Sequence, residues 1–256
     1  QDDWHSMIHY HGTPISGGTQ AQMALTNRHI MVSFATASQA EMLIELCSTF
    51  TVDNGAYSAW KSGKKFDLEG YAQFVERWCR HPGFDWCVMP DVIDGDENDN
   101  AVMRARWFDA VDQTVWRRSI PVWHMHESLE VLAYFAKAHD RIALGSSGQF
   151  AHIGTPEWWN RMYDAMAIVC DDQRRPKCRL HGLRMLDPSI FSGLPLASAD
   201  STNVARNAGM DSRWNGPYAP ATPASRAAVL IERIEAHASA AVLPKRKAHR
   251  NFELFG

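Results

Sequence analysis

The sequence predicts an α/β fold, a (β/α)8 TIM barrel, and three observations point to it. Eight short runs rich in β-branched or aromatic residues recur along the 256-residue chain. Segments with apolar residues at helical spacing separate them, and such alternation calls for a parallel sheet with right-handed crossovers. Eight of these units in roughly 250 residues are the arithmetic of a closed barrel. The runner-up, an open doubly wound sheet, usually announces itself by a G-x-G-x-x-G turn after its first strand. Gly17 and Gly18 lie in a loop without that spacing.

Taken in order, the first strand is read over 6–11, before Gly12, and the second over 29–35. The third covers 50–52 and runs into Asp53, Asn54 and Gly55. The fourth covers 85–90 and ends at Asp91, and the fifth covers 121–126. The sixth, 141–144, ends in Gly145, Ser146, Ser147 and Gly148. The seventh covers 177–183, and the eighth, 196–199, ends at Asp200. Helices are expected over 38–47, 67–79, 98–116, 128–138, 156–169 and 222–238. In the second of these, Leu68, Tyr71, Phe74, Val75 and Trp78 fall on one face, and Asp67 is a good N-cap. Pro156 suits a first helical turn, and Ser128 stands just ahead of Leu129 and Glu130. No repeat or linker divides the chain. One domain, 1–256, is therefore expected, with a long loop over 209–223 and a basic tail over about 244–256.

Composition narrows the class. Apolar residues make up 45% and charged residues 21%, which excludes wholesale disorder. A net charge of −3 argues against a globally basic nucleic-acid binder while allowing a local basic patch. No apolar run approaches the roughly 20 residues needed to cross a bilayer. The first residues, Gln1 to His5, lack the basic and apolar segments of a signal peptide, so a cytoplasmic protein is expected. Five cysteines (Cys47, Cys79, Cys87, Cys170, Cys178) are odd in number and scattered, and read as reduced, mostly buried thiols. Cys170 and Cys178, even with His181, do not make a tight zinc pattern. The ten tryptophans read mainly as core and helix-packing residues.

Polar residues gather at the carboxyl ends of the strands, the face on which such barrels build their sites. They are His9, His11, Asp53, Asp91, Asp94, His124, His126, Ser146, His181, Asp200 and Ser201. Burying neighbouring carboxylates costs several kcal/mol unless pairing or function requires it. Each has a local reading as well. Asp53-Asn54-Gly55 also reads as a tight turn, Asp91 as a cap for the following helix, and Asp200 with Ser201 as an N-cap box. His124 and His126, two apart, are expected on one face of their strand. The signal is their conjunction at one rim.

In this order the residues resemble the tRNA-guanine transglycosylases. Asp53-Asn54-Gly55-Ala56-Tyr57 is similar to that family's Asp-Ser-Gly-Gly-aromatic motif, and Asp91 after Val88-Met89-Pro90 stands where it keeps a base-recognising aspartate. Ala143 to Gly148 resembles its glycine-containing strand end, and His181 to Leu186 its next strand motif. Asp200, in Ala199-Asp200-Ser201, stands at its nucleophilic aspartate. The match runs over roughly 50–205. The chain is short, lacks the family's clustered C-terminal cysteines, and reads Trp123-His124-Met125-His126 where the family presents a glutamine. It is thereby closer in character to the DpdA-like relatives that place 7-deazaguanines into DNA.

The resemblance implies a (β/α)8 barrel that exchanges guanine in a nucleic acid, DNA before tRNA, for a free 7-deazaguanine or guanine base, without a cofactor. Asp200 would attack C1′ and hold a covalent intermediate. Asp53 would manage protons on the departing and incoming bases. Asp91 would accept from the guanine N1–H and amino group, and the backbone N–H groups of Gly145 and Ser146 would donate to O6. Tyr57 would stack on the base, and His124, His126 and His181 would line its pocket. The target nucleotide would be extruded, with phosphates held by Arg174, Arg175, Lys177, Arg179 or the tail. Alternatives stay open. His9, His11, His124, His126 and Asp200 are ligand types of a metal-dependent amidohydrolase barrel, a glycosylase would use water as acceptor, and a non-enzymatic base-binding module is a third reading.

Overall fold

The computed structural model describes residues 7–13, 18–208 and 220–245. One parallel sheet holds β1 (Ile8–Gly12), β2 (His29–Ser33), β3 (Thr49–Asp53), β4 (Phe84–Val88), β5 (Ser119–Ile120), β6 (Val122–His124), β7 (Arg141–Gly145), β8 (Arg179–Gly182) and β9 (Ser198–Ser201). Their order is β5-β4-β3-β2-β1-β9-β8-β7-β6. The two ends of that order, β5 and β6, are separated in the chain by Pro121 alone. They are halves of one stave: β5 pairs with β4 and β6 with β7. Pro121 has no N–H for either ladder, and its carbonyl accepts from Ala143 N at 2.9 Å. Nine segments thus make the eight staves of a nearly closed α/β barrel of the TIM type, the fold that the eight apolar runs predict.

The outer layer comprises α1 (Gly18–Gln22), α2 (Ala40–Leu46), α3 (Ala56–Lys61), α4 (Leu68–Trp78), α5 (Glu97–Ala110), α6 (Gln113–Trp116), α7 (Leu129–Ala138), α8 (Pro156–Val169), α9 (Pro188–Phe191), α10 (Asn203–Asn207) and α11 (Pro223–Glu235). The cap read from sequence at Asp67 is in place, and three hydroxyl caps accompany it. Asp67 accepts from Gly70 N at 2.9 Å, and Ser128, Thr155 and Thr222 accept in the same way at α7, α8 and α11. Each such cap contributes about 1 kcal/mol. The helix expected over 98–116 is two helices, because Asp112 caps a new start at Val115 N. The short helices α1, α3, α9 and α10 lie outside the expected set; four to six residues carry too little periodicity to register.

Alternation along the strands divides the apolar side chains in two. Tyr10, Met31, Trp86, Val88, Ile120, Val122 and Ala143 form one buried cluster, inside the barrel, and the larger cluster lies between the sheet and the helices. One consequence corrects the expectation for the first strand. With Tyr10 pointing inward, His9 and His11 point outward to the helical layer. His11 Nε2 lies 3.0 Å from Glu235 Oε1 of α11, and His9 Nε2 lies 2.8 Å from the carbonyl of His237. Neither reaches the rim. Strand β4 carries one extra residue against β3, since Phe50 pairs with Phe84 but Val52 with Cys87. Asp85, at this irregularity, accepts from the Tyr10 hydroxyl at 2.5 Å. Among the described residues no helix is long and apolar enough to cross a membrane.

Candidate active site

The carboxyl ends of β3, β4, β6, β7, β8 and β9 bring most of the expected residues together. Asp53 closes β3. Its Oδ2 accepts from the Ser33 hydroxyl (2.9 Å) and from Gly55 N (3.0 Å), while Oδ1 has no partner among the described residues. The turn reading of this segment therefore holds alongside the functional one. Gly55 sits at φ +73°, and a Cβ there would come within 2.9 Å of Ala35 N, so the turn needs glycine. Burial, opposed by the Ser33 bond and aided by the negative charges of Asp200 and Asp91, raises the Asp53 pKa to about 6. The three carboxylates thus share one electrostatic environment at one end of the barrel.

Asp200, buried in β9, accepts on a single oxygen. His181 Nε2 is 3.2 Å from Oδ1 and the Arg184 backbone N–H donates to it at 3.0 Å, which leaves Oδ2 without a partner among the described residues. Thr202 stands at the N-cap of the helix after β9 and the Ser201 hydroxyl accepts from Asn203 N at 2.8 Å, so Asp200 is not a cap. His181 is enclosed between the rings of Tyr10 and Trp86, with Nδ1 2.9 Å from the Ser198 hydroxyl. Burial lowers its pKa against the opposing pull of Asp200, so it is a neutral imidazole orienting a carboxylate. Arg184 holds φ +60°, an uncommon conformation for a residue with a Cβ, and this is the residue whose N–H reaches Asp200.

Asp91 is more heavily engaged than a bare recognition group. Asn54 Nδ2 donates to its Oδ1 at 2.7 Å, and His124 Nε2 lies 2.8 Å from its Oδ2. It caps no helix, because α5 begins with a capping box between Asp96 and Asp99. His124 leads on to Glu127, which accepts from the His124 backbone N–H at 2.9 Å and from Asn100 Nδ2 at 3.1 Å. Burial works against a charge on His124, but the hydrogen bond to Asp91 and the negative charges of Asp91 and Glu127, the latter 3.6 Å from Nδ1, outweigh it and raise its pKa to about 9. His126 departs from expectation. The strand ends at His124, so the two histidines do not share a strand face; their rings stand 5.7 Å apart, and His126 Nδ1 lies 2.8 Å from the Ser147 hydroxyl.

Ser146, after β7, has its hydroxyl bonded to Trp158 Nε1 and its carbonyl to Arg184 Nη2, both at short range (2.9 and 2.8 Å). Gly145 ends that strand, paired with His124. Tyr57 lies exposed on α3 with the Arg184 guanidinium 5.4 Å from its ring centre. Asn100 and Glu127 were not read from sequence, and Asn54 and Arg184, though inside the matched motifs, were given no role in the site. The spacing of Glu127 three after His124 was the available signal for one of them; the asparagines gave none.

The expected phosphate contacts fall elsewhere. Arg174, Arg175 and Lys177 precede β8 and Arg179 begins it, so all four lie at the amino-terminal end of the barrel; the tail beyond Lys245 lies outside the described residues. At the rim, a cleft of about 220 Å³ beside Asp91 is instead lined by Lys64, Lys65, Arg106 and Trp60. Among the described residues no three His, Cys, Asp or Glu side chains are grouped to hold a metal ion. The outward turn of His9 and His11 removes two ligands that the amidohydrolase alternative requires at the rim.

No family model and no curated protein matches this sequence. A solved chain from Aquifex aeolicus VF5, described as a structural study of a project, is similar at 9% identity and a TM-score of 0.48, over 92% of this chain and 94% of that one. A likeness of that size carries no argument. What the rim can do rests on its own geometry: two carboxylates each with one oxygen open, one of them poised to exchange a proton near pH 6.

Proposed function

We propose that the rim of this barrel breaks the N-glycosidic bond of a guanine nucleotide in a nucleic acid, DNA before tRNA, and transfers the sugar to an incoming 7-deazaguanine or guanine base. The observation that carries this reading is the coupling of Asp53 to Asp200: a buried acid with a pKa near 6, raised in part by the charge of a second carboxylate oriented from behind. Asp200 Oδ2 attacks C1′ as the bond from C1′ to N9 breaks. The departing base takes its proton from neutral Asp53, which then, as carboxylate, removes the N9 proton of the incoming base. N9 of that base attacks C1′, and Asp200 is released unchanged.

Asp91, fixed by Asn54 and His124, retains one lone pair on each oxygen for the N1–H and amino group of guanine. Of the two backbone groups expected at O6, the Gly145 N–H is taken up by the ladder between β6 and β7, so O6 is assigned to the Ser146 N–H. Tyr57 has one ring face covered by Arg184, so a base would stack on the other. Lys64, Lys65 and Arg106 are assigned to the polymer's phosphates, and binding that relies on them falls steeply with salt. The test is incubation with radiolabelled guanine or a labelled 7-deazaguanine and either duplex DNA or tRNA. Label is expected in the polymer with wild type and none with Asp200→Asn at unchanged circular dichroism. Turnover retained in that variant would remove Asp200 from the reaction, and base release without incorporation would favour water as the acceptor.

A further inference from the structure

The end of the barrel opposite the rim carries a second and larger opening. A cleft of about 850 Å³ lies between α5, α6 and α7, reaching the first residues of β5, β7 and β8. It is not part of the rim, since Asp53, Asp91, Asp200 and the residues that hold them do not line it. Five arginines line it, Arg104, Arg117, Arg118, Arg141 and Arg179, against three carboxylates. One of these, Asp85, is already committed to the Tyr10 hydroxyl at 2.5 Å, with Arg141 Nη1 3.5 Å away and in no hydrogen bond. Trp86 is 3% exposed, and its Nε1 likewise has no partner. Among the described residues, Arg104 and Arg117 are in no ion pair. Arg104 is stacked on Phe135 at 4.8 Å, where burial lowers its pKa. The walls between these cations are aromatic, and Phe108 and Tyr134 are exposed there at 47% and 65%.

One half-buried guanidinium (Arg104) and one exposed one (Arg117), neither in an ion pair among the described residues and both beside open rings, are the complement of a planar ligand bearing a phosphate. The volume falls in the range of small-molecule sites. We propose that this cleft binds a small aromatic phosphate of the class of a purine mononucleotide, its phosphate held by Arg104 and Arg117 and its ring against Phe108 and Tyr134. The site is independent of the chemistry assigned to the rim.

The test uses the full chain and adenosine 5′-monophosphate, a purine without the amino and N1–H pattern assigned to Asp91. Binding is read by tryptophan fluorescence and by calorimetry, with adenosine and inorganic phosphate as separate probes. Saturable binding of the nucleotide is expected, weakened about tenfold or more in Arg117→Glu and in the double variant with Arg104→Gln, and unchanged in Asp91→Ala. Adenosine should bind at least about tenfold more weakly than the nucleotide. Arg117 is exposed, so the single variant should fold even if the double one does not. Equal affinity in Arg117→Glu, a loss confined to Asp91→Ala, or no saturation at millimolar nucleotide would each overturn the assignment.

Discussion

Asp53 shows how one side chain is tuned by its neighbours. Burial and two carboxylates push its pKa to about 6, while the Ser33 hydroxyl and Gly55 N–H pull the other way. An acid that must be protonated for the first step makes kcat/KM fall as pH rises through that value. The pH profile of base exchange should therefore bend near pH 6. In Asp53→Asn the bend should vanish and the rate should drop by about 10²–10⁴. Ser33→Ala removes a bond to the charged form, so it should move the bend to higher pH while sparing most of the rate. A bend that stays in place in Asp53→Asn would assign the titration to another group.

At the scale of elements, three strand ends and a helix are tied by one polar chain: Asn54 after β3, Asp91 after β4, His124 on β6, Glu127 beyond it, and Asn100 on α5. Breaking a buried charged pair leaves its partner uncompensated, which costs several kcal/mol. His124 also sets a pH dependence. Its pKa is higher in the fold (about 9) than the ordinary 6.5, so its contribution is complete below 6.5 and lost as pH rises through 9. The shift corresponds to roughly 3 kcal/mol. Urea melts of wild type at pH 7 and pH 10 should differ accordingly, and in His124→Gln most of that difference should disappear; an undiminished difference would place the titrating group elsewhere. This chain also marks how far the sequence could be read. Hydrophobic periodicity sufficed for eight staves, and the carboxyl-end rule for Asp53, Asp91, His124 and Asp200, because each sits within three residues of a strand end. Whether a strand residue points in or out at β1 depends on register, and this misplaced His9 and His11. Asn100 and Arg184 reach the site through tertiary contacts that no local pattern encodes.

At the scale of the whole molecule, the barrel has two chemically distinct ends and one fastening along its side. The fastening joins the first stave to the last long helix. Glu235 of α11 accepts from His11 of β1 at 3.0 Å and pairs with Arg28, and the carbonyl just beyond the helix meets His9. His11 has no exposed surface, so in Glu235→Ala its Nε2 loses its partner without gaining water, a cost of about 1–3 kcal/mol. For a chain of this length that predicts a fall in Tm of about 2–12 °C. The sign of the pH dependence follows from Glu235. Burial raises its pKa, but the bonds to His11 and the charge of Arg28 prevail and hold it below the ordinary 4.5. Its contribution is therefore present above 4.5 and lost as pH falls through the lower folded value. Thermal melts should show wild type and Glu235→Ala well separated at pH 7 and converging as pH falls below the ordinary carboxylate range, with base exchange at the rim little affected at temperatures where both are folded. A gap that persists undiminished in acid would mean that α11 is held by its apolar face alone.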